Sequence, residues 1–181
     1  MKTKSIPILF AAGAMAIASG AVAHAVDTPE LNFSCQVRDG VHTTIAQSVD
    51  GRAEIPIFLW KAAALDGKAA DSPEELCGLV SQKLADLSVD YDISNINFIG
   101  THQADIPMVC ANTGGSECSS VLFTLNKTND RAGFVAGDVV DAILAQDLQP
   151  EKQEFRTRGV QSISYQVDFW SLLGLKFSNK Y

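Results

Sequence analysis

Positive charge is scarce in this 181-residue chain: 14 bases stand against 21 acids, for a formal net charge of −7. The isoelectric point near 4.8 is the wrong sign for holding a phosphate backbone by counterion release, so no nucleic-acid partner is expected. Its 13 glycines follow no fixed period and its prolines number only six, which excludes a collagen-like repeat and a proline-rich linker. There is no Cys-x-x-Cys and no Gly-x-Ser-x-Gly, and histidine occurs only three times. Those absences remove the common zinc frameworks and the nucleophile elbow of hydrolases. What is present, 46% hydrophobic residues, 19% charged ones and a mean hydropathy of +0.08, fits one globular domain and neither a disordered polymer nor a polytopic membrane protein.

The first residues carry Lys2 and Lys4, an uncharged apolar run from Ile6 to Ala18, and the overlapping small-residue sites Ala21-Val22-Ala23 and Ala23-His24-Ala25. This is the build of a secretory signal peptide, expected over residues 1–25, with a single domain over 26–181. An uncleaved anchor is the alternative, because the run is nearly long enough to span a bilayer as a helix. No other segment is apolar enough to do so.

Cys35, Cys77, Cys110 and Cys118 all fall in the exported part, and an even number in an oxidising compartment favours two disulfides over a metal site. Three pairings exist, and side-chain faces choose among them. Asp39-Gly40 and Asp50-Gly51 punctuate extended runs at 32–38, 41–48 and 52–60, which predicts an antiparallel meander. In its first strand Phe33, Cys35 and Val37 share a face, so Cys35 points inward. In the second, Val41, Thr43 and Ile45 share one face and His42 takes the other, where it reads as a solvated side chain.

Ser72-Pro73-Glu74-Glu75 is a capping box with proline at the first helical position, and it starts a helix running to about Leu87. The two glutamates suit the positive end of that helix and need no catalytic role. Cys77, Val80, Leu84 and Leu87 recur on one face, so Cys77 also points inward and pairs with Cys35. Closing that loop of roughly 43 residues is worth about 4 kcal/mol in the chain-entropy model. Cys110 and Cys118 flank the turn sequence at 112–116, between runs at 106–111 and 119–125, so their bond clips a hairpin and contributes less, about 2.5 kcal/mol.

A further strand is expected at 96–102, and a second helix within 134–146, where Ala136, Val140, Ile143 and Leu144 form an apolar stripe ended before Pro150. The charged span 149–159 reads as a mobile connection. Residues 160–181 read as a C-terminal strand, on the alternation of Ile163, Tyr165, Val167 and Phe169, followed by an apolar tail. The expected fold is α+β: a mainly antiparallel sheet of five to seven strands, two helices packed on it, and two disulfides.

Few residues invite catalysis. His102 stands near Thr101 and Asp105, which would suit a general base oriented by a carboxylate, yet no nucleophile context accompanies it. The glycine-bearing loop at 112–116 lacks the lysine and following helix of a phosphate loop. Asn32-Phe33-Ser34 and Asn126-Lys127-Thr128 match a glycosylation pattern that carries no meaning in a bacterial periplasm. Trp60 and Trp170 each end an apolar strand, where packing is the default.

Taken in order, Phe33-x-Cys35, Thr43-Thr44, Ile55 to Trp60, Pro73-x-x-x-Cys77-x-x-Val80-Ser81, Val109-Cys110, and Cys118 leading into Leu122-Phe123-Thr124-Leu125 resemble the circadian oscillating protein family of cyanobacteria. The resemblance covers 31–144. It departs at Leu76, where the family usually has a basic residue, and in the tail 149–181. It implies a small exported, disulfide-bearing domain associated with a membrane, and it transfers no catalytic residue, metal or cofactor. The expected function is therefore a non-enzymatic binding or structural module, contacting an unknown protein partner or the membrane periphery of an extracytoplasmic compartment. A small hydrolase using His102 and Asp105, or a small-ligand carrier, are the alternatives.

Overall fold

Strand β1 (Leu31–Arg38) returns as β2 (Val41–Ser48) through Asp39 and Gly40, whose φ angles of 50° and 78° give the left-handed turn that matches strand twist. The next loop is held by Asp50, which accepts from Ser48 Oγ at 2.6 Å and from the Arg52 backbone N–H at 3.1 Å. Those bonds hold its carboxyl below the usual aspartate range. In β3 (Glu54–Trp60) the register steps from Thr44–Phe58 to Ile45–Pro56, which leaves Ile57 as a bulge. Pro56, with no N–H to donate, sits beside that bulge on the edge strand, where it does least harm.

A single helical turn, α1 (Ala62–Leu65), leads to the long α2 (Pro73–Asp90), which carries the complete capping box: Ser72 accepts from the Glu75 N–H, and Glu75 accepts from the Ser72 N–H. Then β4 (Asn95–Gln103), β5 (Ile106–Asn112) and β6 (Ser120–Thr124) form a meander, followed by α3 (Ala132–Ile143), a short 3-10 turn at Gln146–Leu148, β7 (Lys152–Thr157), β8 (Val160–Asp168) and α4 (Phe169–Leu172). This computed structural model describes residues 31–91, 95–113, 118–128, 131–149, 152–157 and 160–172. The expected signal peptide, the glycines of the 112–116 loop and the tail beyond Leu172 lie outside the described residues.

The expected α+β class, its antiparallel pairing and its two long helices are all present. The strands, however, divide between two sheets, β1-β2-β3 and β6-β5-β4-β8-β7. An aromatic seam joins them: Phe58 meets Phe98 with ring centroids 4.8 Å apart, and Trp60 meets Phe123 at 5.3 Å. Helix α2 packs on the first sheet, with Leu76, Cys77, Val80, Ser81 and Leu84 buried. Helix α3 packs on β4, β5 and β8. Its contact with β4 is glycine on glycine, since a Cβ on Gly100 would come within 2.6 Å of the Gly137 nitrogen. The chain leaves α3 at Ile143, inside the expected span 134–146, because the Ala145 N–H turns to the Ile57 carbonyl at 2.9 Å and Leu144 bridges Phe58. The edge of β3 is thereby covered.

Two expectations are corrected. The span 149–159, expected as a mobile connection, holds β7, paired with β8 from Lys152–Tyr165 to Thr157–Val160. Its polar, charged sequence is what an edge strand carries to discourage further pairing, and it imitates a loop. His42 lies not on the solvated face but on the core face of β2, opposite Val37 and Trp60 and half-buried. The alternation misleads there because β2 is the middle strand and is buried on both faces, Thr43, Thr44, Ile45 and Ala46 alike.

Candidate functional site

Three places gather reactive or polar groups, the first of them around the disulfide between β1 and α2. Cys35 on β1 and Cys77 on α2 are bonded, with Cα atoms 5.4 Å apart. Thr44, fully buried, lies beside them: its Oγ1 accepts from the Trp60 indole at 2.9 Å and from Ser81 Oγ at 3.3 Å, and it donates to Cys77 Sγ at 3.9 Å. Each polar atom in this dry cluster therefore has a partner, as a buried polar group requires. The arrangement fixes how α2 sits on the sheet and leaves no group free to react. Thr44 and Ser81 stand in the sequence pattern quoted above, but spacing alone gives no reason to pair a strand residue with a helix residue 37 positions away.

His102 and Asp105, the pair suggested for general-base chemistry, are not brought together. The His102 ring Nδ1 donates to the Ala104 carbonyl at 2.9 Å, while the Asp105 carboxylate meets Lys127 Nζ at 3.4 Å on the surface. Both residues flank the β4–β5 turn, where Ala104 has a φ of 53°. The segment after β6 straps that turn, since the Thr128 N–H donates to the Asp105 carbonyl at 3.0 Å. Among the described residues no three His, Cys, Asp or Glu side chains stand close enough to hold a metal ion.

The third place is the far end of α2. A cleft of about 230 Å³ is lined by Leu87, Tyr91, Asn112, Thr113, Ser119 and Ser120, beside the disulfide Cys110–Cys118. Val89 is 85% exposed and Tyr91 59%. Lys83 stands one turn before Leu87, and its Nζ donates to the carbonyls of Val121 and Leu122 at 2.9 and 2.8 Å. Both carbonyls are available on the same side because Leu122 is the extra residue where the register steps from Val109–Phe123 to Cys110–Val121. Helix α2 thus covers the edge of the second sheet. The helix runs past its expected end at about Leu87 and so carries Val89 and the cap residue Tyr91, whose apolar side chains at a polar helix end are the signal that marks them in the sequence.

Both expected cysteine pairings are present, and no free cysteine remains among the described residues. Disulfides persist in compartments outside the reducing cytoplasm. Among the described residues no helix is long and apolar enough to cross a membrane. No curated protein and no solved structure matches the chain. A family model does match, over residues 32–173, which takes in β7 and β8 and so corrects, as far as residue 173, the reading of the 149–181 tail as a departure from the family. With most of its length, both disulfides and the second sheet entire inside that match, the chain belongs to the family described as circadian oscillating protein COP23.

Proposed function

We propose that the domain is an exported, non-enzymatic binding module, and that it contacts another protein through the end of α2 and the clipped β5–β6 hairpin. One observation carries this reading: the groups that could have done chemistry are engaged in holding the fold. His102 is bonded to a backbone carbonyl, Asp105 to Lys127, Cys35 to Cys77, and Thr44 and Ser81 to the Trp60 cluster. Against that background the exposed Val89 and Tyr91 are apolar area without a structural task. The cleft beside them favours a contact surface over a carrier, since its 230 Å³ falls below the roughly 300–1,000 Å³ of a pocket that encloses a small molecule.

The test is comparative recovery. Native protein, the Val89→Asp/Tyr91→Ala double variant and His102→Ala are each used to recover partners from the membrane and soluble extracts of the source cells. A protein retained by native chain and by His102→Ala, and lost with the double variant, supports the proposal. Retention by the double variant moves the contact elsewhere, and a hydrolytic turnover abolished in His102→Ala would replace the binding reading with an enzymatic one.

A further inference from the structure

Exposure separates the two crosslinks. Cys77 is fully buried and Cys35 half-buried against it, with the Thr44 hydroxyl directed at the Cys77 sulfur. Cys118, by contrast, is exposed, while its partner Cys110 is fully buried in a small cluster with Ile99 and Met108. We propose that Cys110–Cys118 is a thiol–disulfide exchange site, attacked at Cys118 by a dithiol reductant, and that Cys35–Cys77 is a permanent part of the framework.

The exchange begins with a thiolate of the reductant bonding to Cys118 Sγ as the Cys110–Cys118 bond breaks. The electron pair leaves on Cys110 Sγ, which takes up a proton. The reductant's second thiolate then attacks the reductant's first sulfur in the mixed disulfide, breaking its bond to Cys118, whose thiolate is protonated in turn. The dithiol ends as a disulfide, and two electrons have passed to the protein. Access sets the point of attack, because exchange requires the incoming sulfur to approach the bond directly and Cys118 is the cysteine that solvent reaches.

The fold is arranged to survive this loss. The bond spans a separation of only 8 residues, and the hairpin it clips is held independently by the β5–β6 ladder, by Ser119 Oγ donating to the Ala111 carbonyl at 3.0 Å, and by Lys83 on β6. The other bond spans 42 residues and joins a strand to a helix, elements that share no backbone ladder. Opening Cys110–Cys118 removes the covalent tie beside the cleft and leaves the β5–β6 ladder and the two helices in place.

Native protein titrated with dithiothreitol in the absence of denaturant, quenched by alkylation and mapped by peptide mass, reads the order of release. Cys110 and Cys118 should be alkylated at least about tenfold faster than Cys35 and Cys77, following their difference in access. The species with two alkylated cysteines should keep its near-ultraviolet circular dichroism. A dithiol oxidoreductase lacking its resolving cysteine should be trapped on Cys118 and not on Cys110. The Cys110→Ser/Cys118→Ser variant should fold with the remaining bond formed. Simultaneous release of all four thiols, earlier release of Cys35 and Cys77, trapping on Cys110, or an unfolded double variant would each overturn the proposal.

Discussion

Helix α2 is bound to its sheet by a sulfur bridge and a buried set of hydroxyls, whereas α3 lies against β4 with glycine backbone on glycine backbone. The first helix begins in a full capping box; the second begins at Arg131 with no side-chain cap at all. Two solutions to one problem, holding a helix on an antiparallel sheet, thus stand side by side in one chain. Directional links fix α2, while α3 depends on close approach and so on the absence of side chains at Gly100 and Gly137. The difference predicts that α2 is sensitive to lost partners and α3 to added volume.

The largest effect should come from cutting the covalent tie. The Cys35→Ala/Cys77→Ala variant is expected to lose about 4 kcal/mol in the chain-entropy model, a large part of the roughly 5–15 kcal/mol that typically holds a domain folded. Urea denaturation followed by Trp fluorescence measures it. If the midpoint moves no more than it does on removing the Cys110–Cys118 clip, the covalent tie is not what distinguishes α2, and the contrast between the helices fails.

Next in size is the matching assault on α3. Gly100→Ala places a Cβ against the backbone of Ala136 and Gly137, where no side chain can rotate away, so β4 and α3 must separate. Overpacking of this kind costs about 3 kcal/mol. Chemical denaturation should show that loss with both disulfides intact by peptide mapping, which separates it from damage around α2.

Thr44→Val, smaller again, removes a hydroxyl at nearly constant volume and strands the Trp60 indole N–H and the Ser81 hydroxyl in a dry interior. Leaving such groups unpaired costs about 2 kcal/mol. The Trp60 emission should shift with it. Thr44→Ser, which keeps the oxygen, should restore most of the stability; if it does not, the missing methyl and not the hydrogen bonds accounts for the loss.

How far the sequence disclosed these features follows from the kind of interaction. Hairpins, caps and the two cysteine pairings were legible because each is set by local spacing: Asp39-Gly40, Ser72 to Glu75, and cysteines assigned to inward faces by periods of two and 3.6. The division into two sheets was not, because it depends on which strand β8 joins, and β8 pairs with β4 across a separation no local pattern encodes. The contact of Gly100 with Gly137 left no trace either, since a glycine in a strand looks the same whether it faces solvent or a helix. In the candidate site, the cysteines were foreseen, while Val89 and Tyr91 fell beyond the expected helix end.

The smallest expected effect sharpens the contrast by pH. Hydrogen bonds from the Ser72 backbone and hydroxyl hold the Glu75 carboxyl below the usual glutamate range, so the folded form binds its proton later than the unfolded chain does. A carboxyl depressed on folding contributes stability above its unfolded pKa of about 4.3, and that contribution is lost as pH falls through the lower folded value. Because Glu75 is exposed, the effect belongs to the first turn of α2 and not to the domain as a whole. Amide-exchange protection in that turn should therefore decline from pH 5 to pH 3 by about one capping interaction, while the start of α3, with no side-chain cap to protonate, shows no comparable step. Glu75→Gln keeps an acceptor for the Ser72 N–H but has no proton to gain, so its first turn should lose the pH step and retain most of the protection. Equal acid sensitivity at the starts of both helices would mean that the cap on α2 is a feature of its sequence that does not govern how the helix is held.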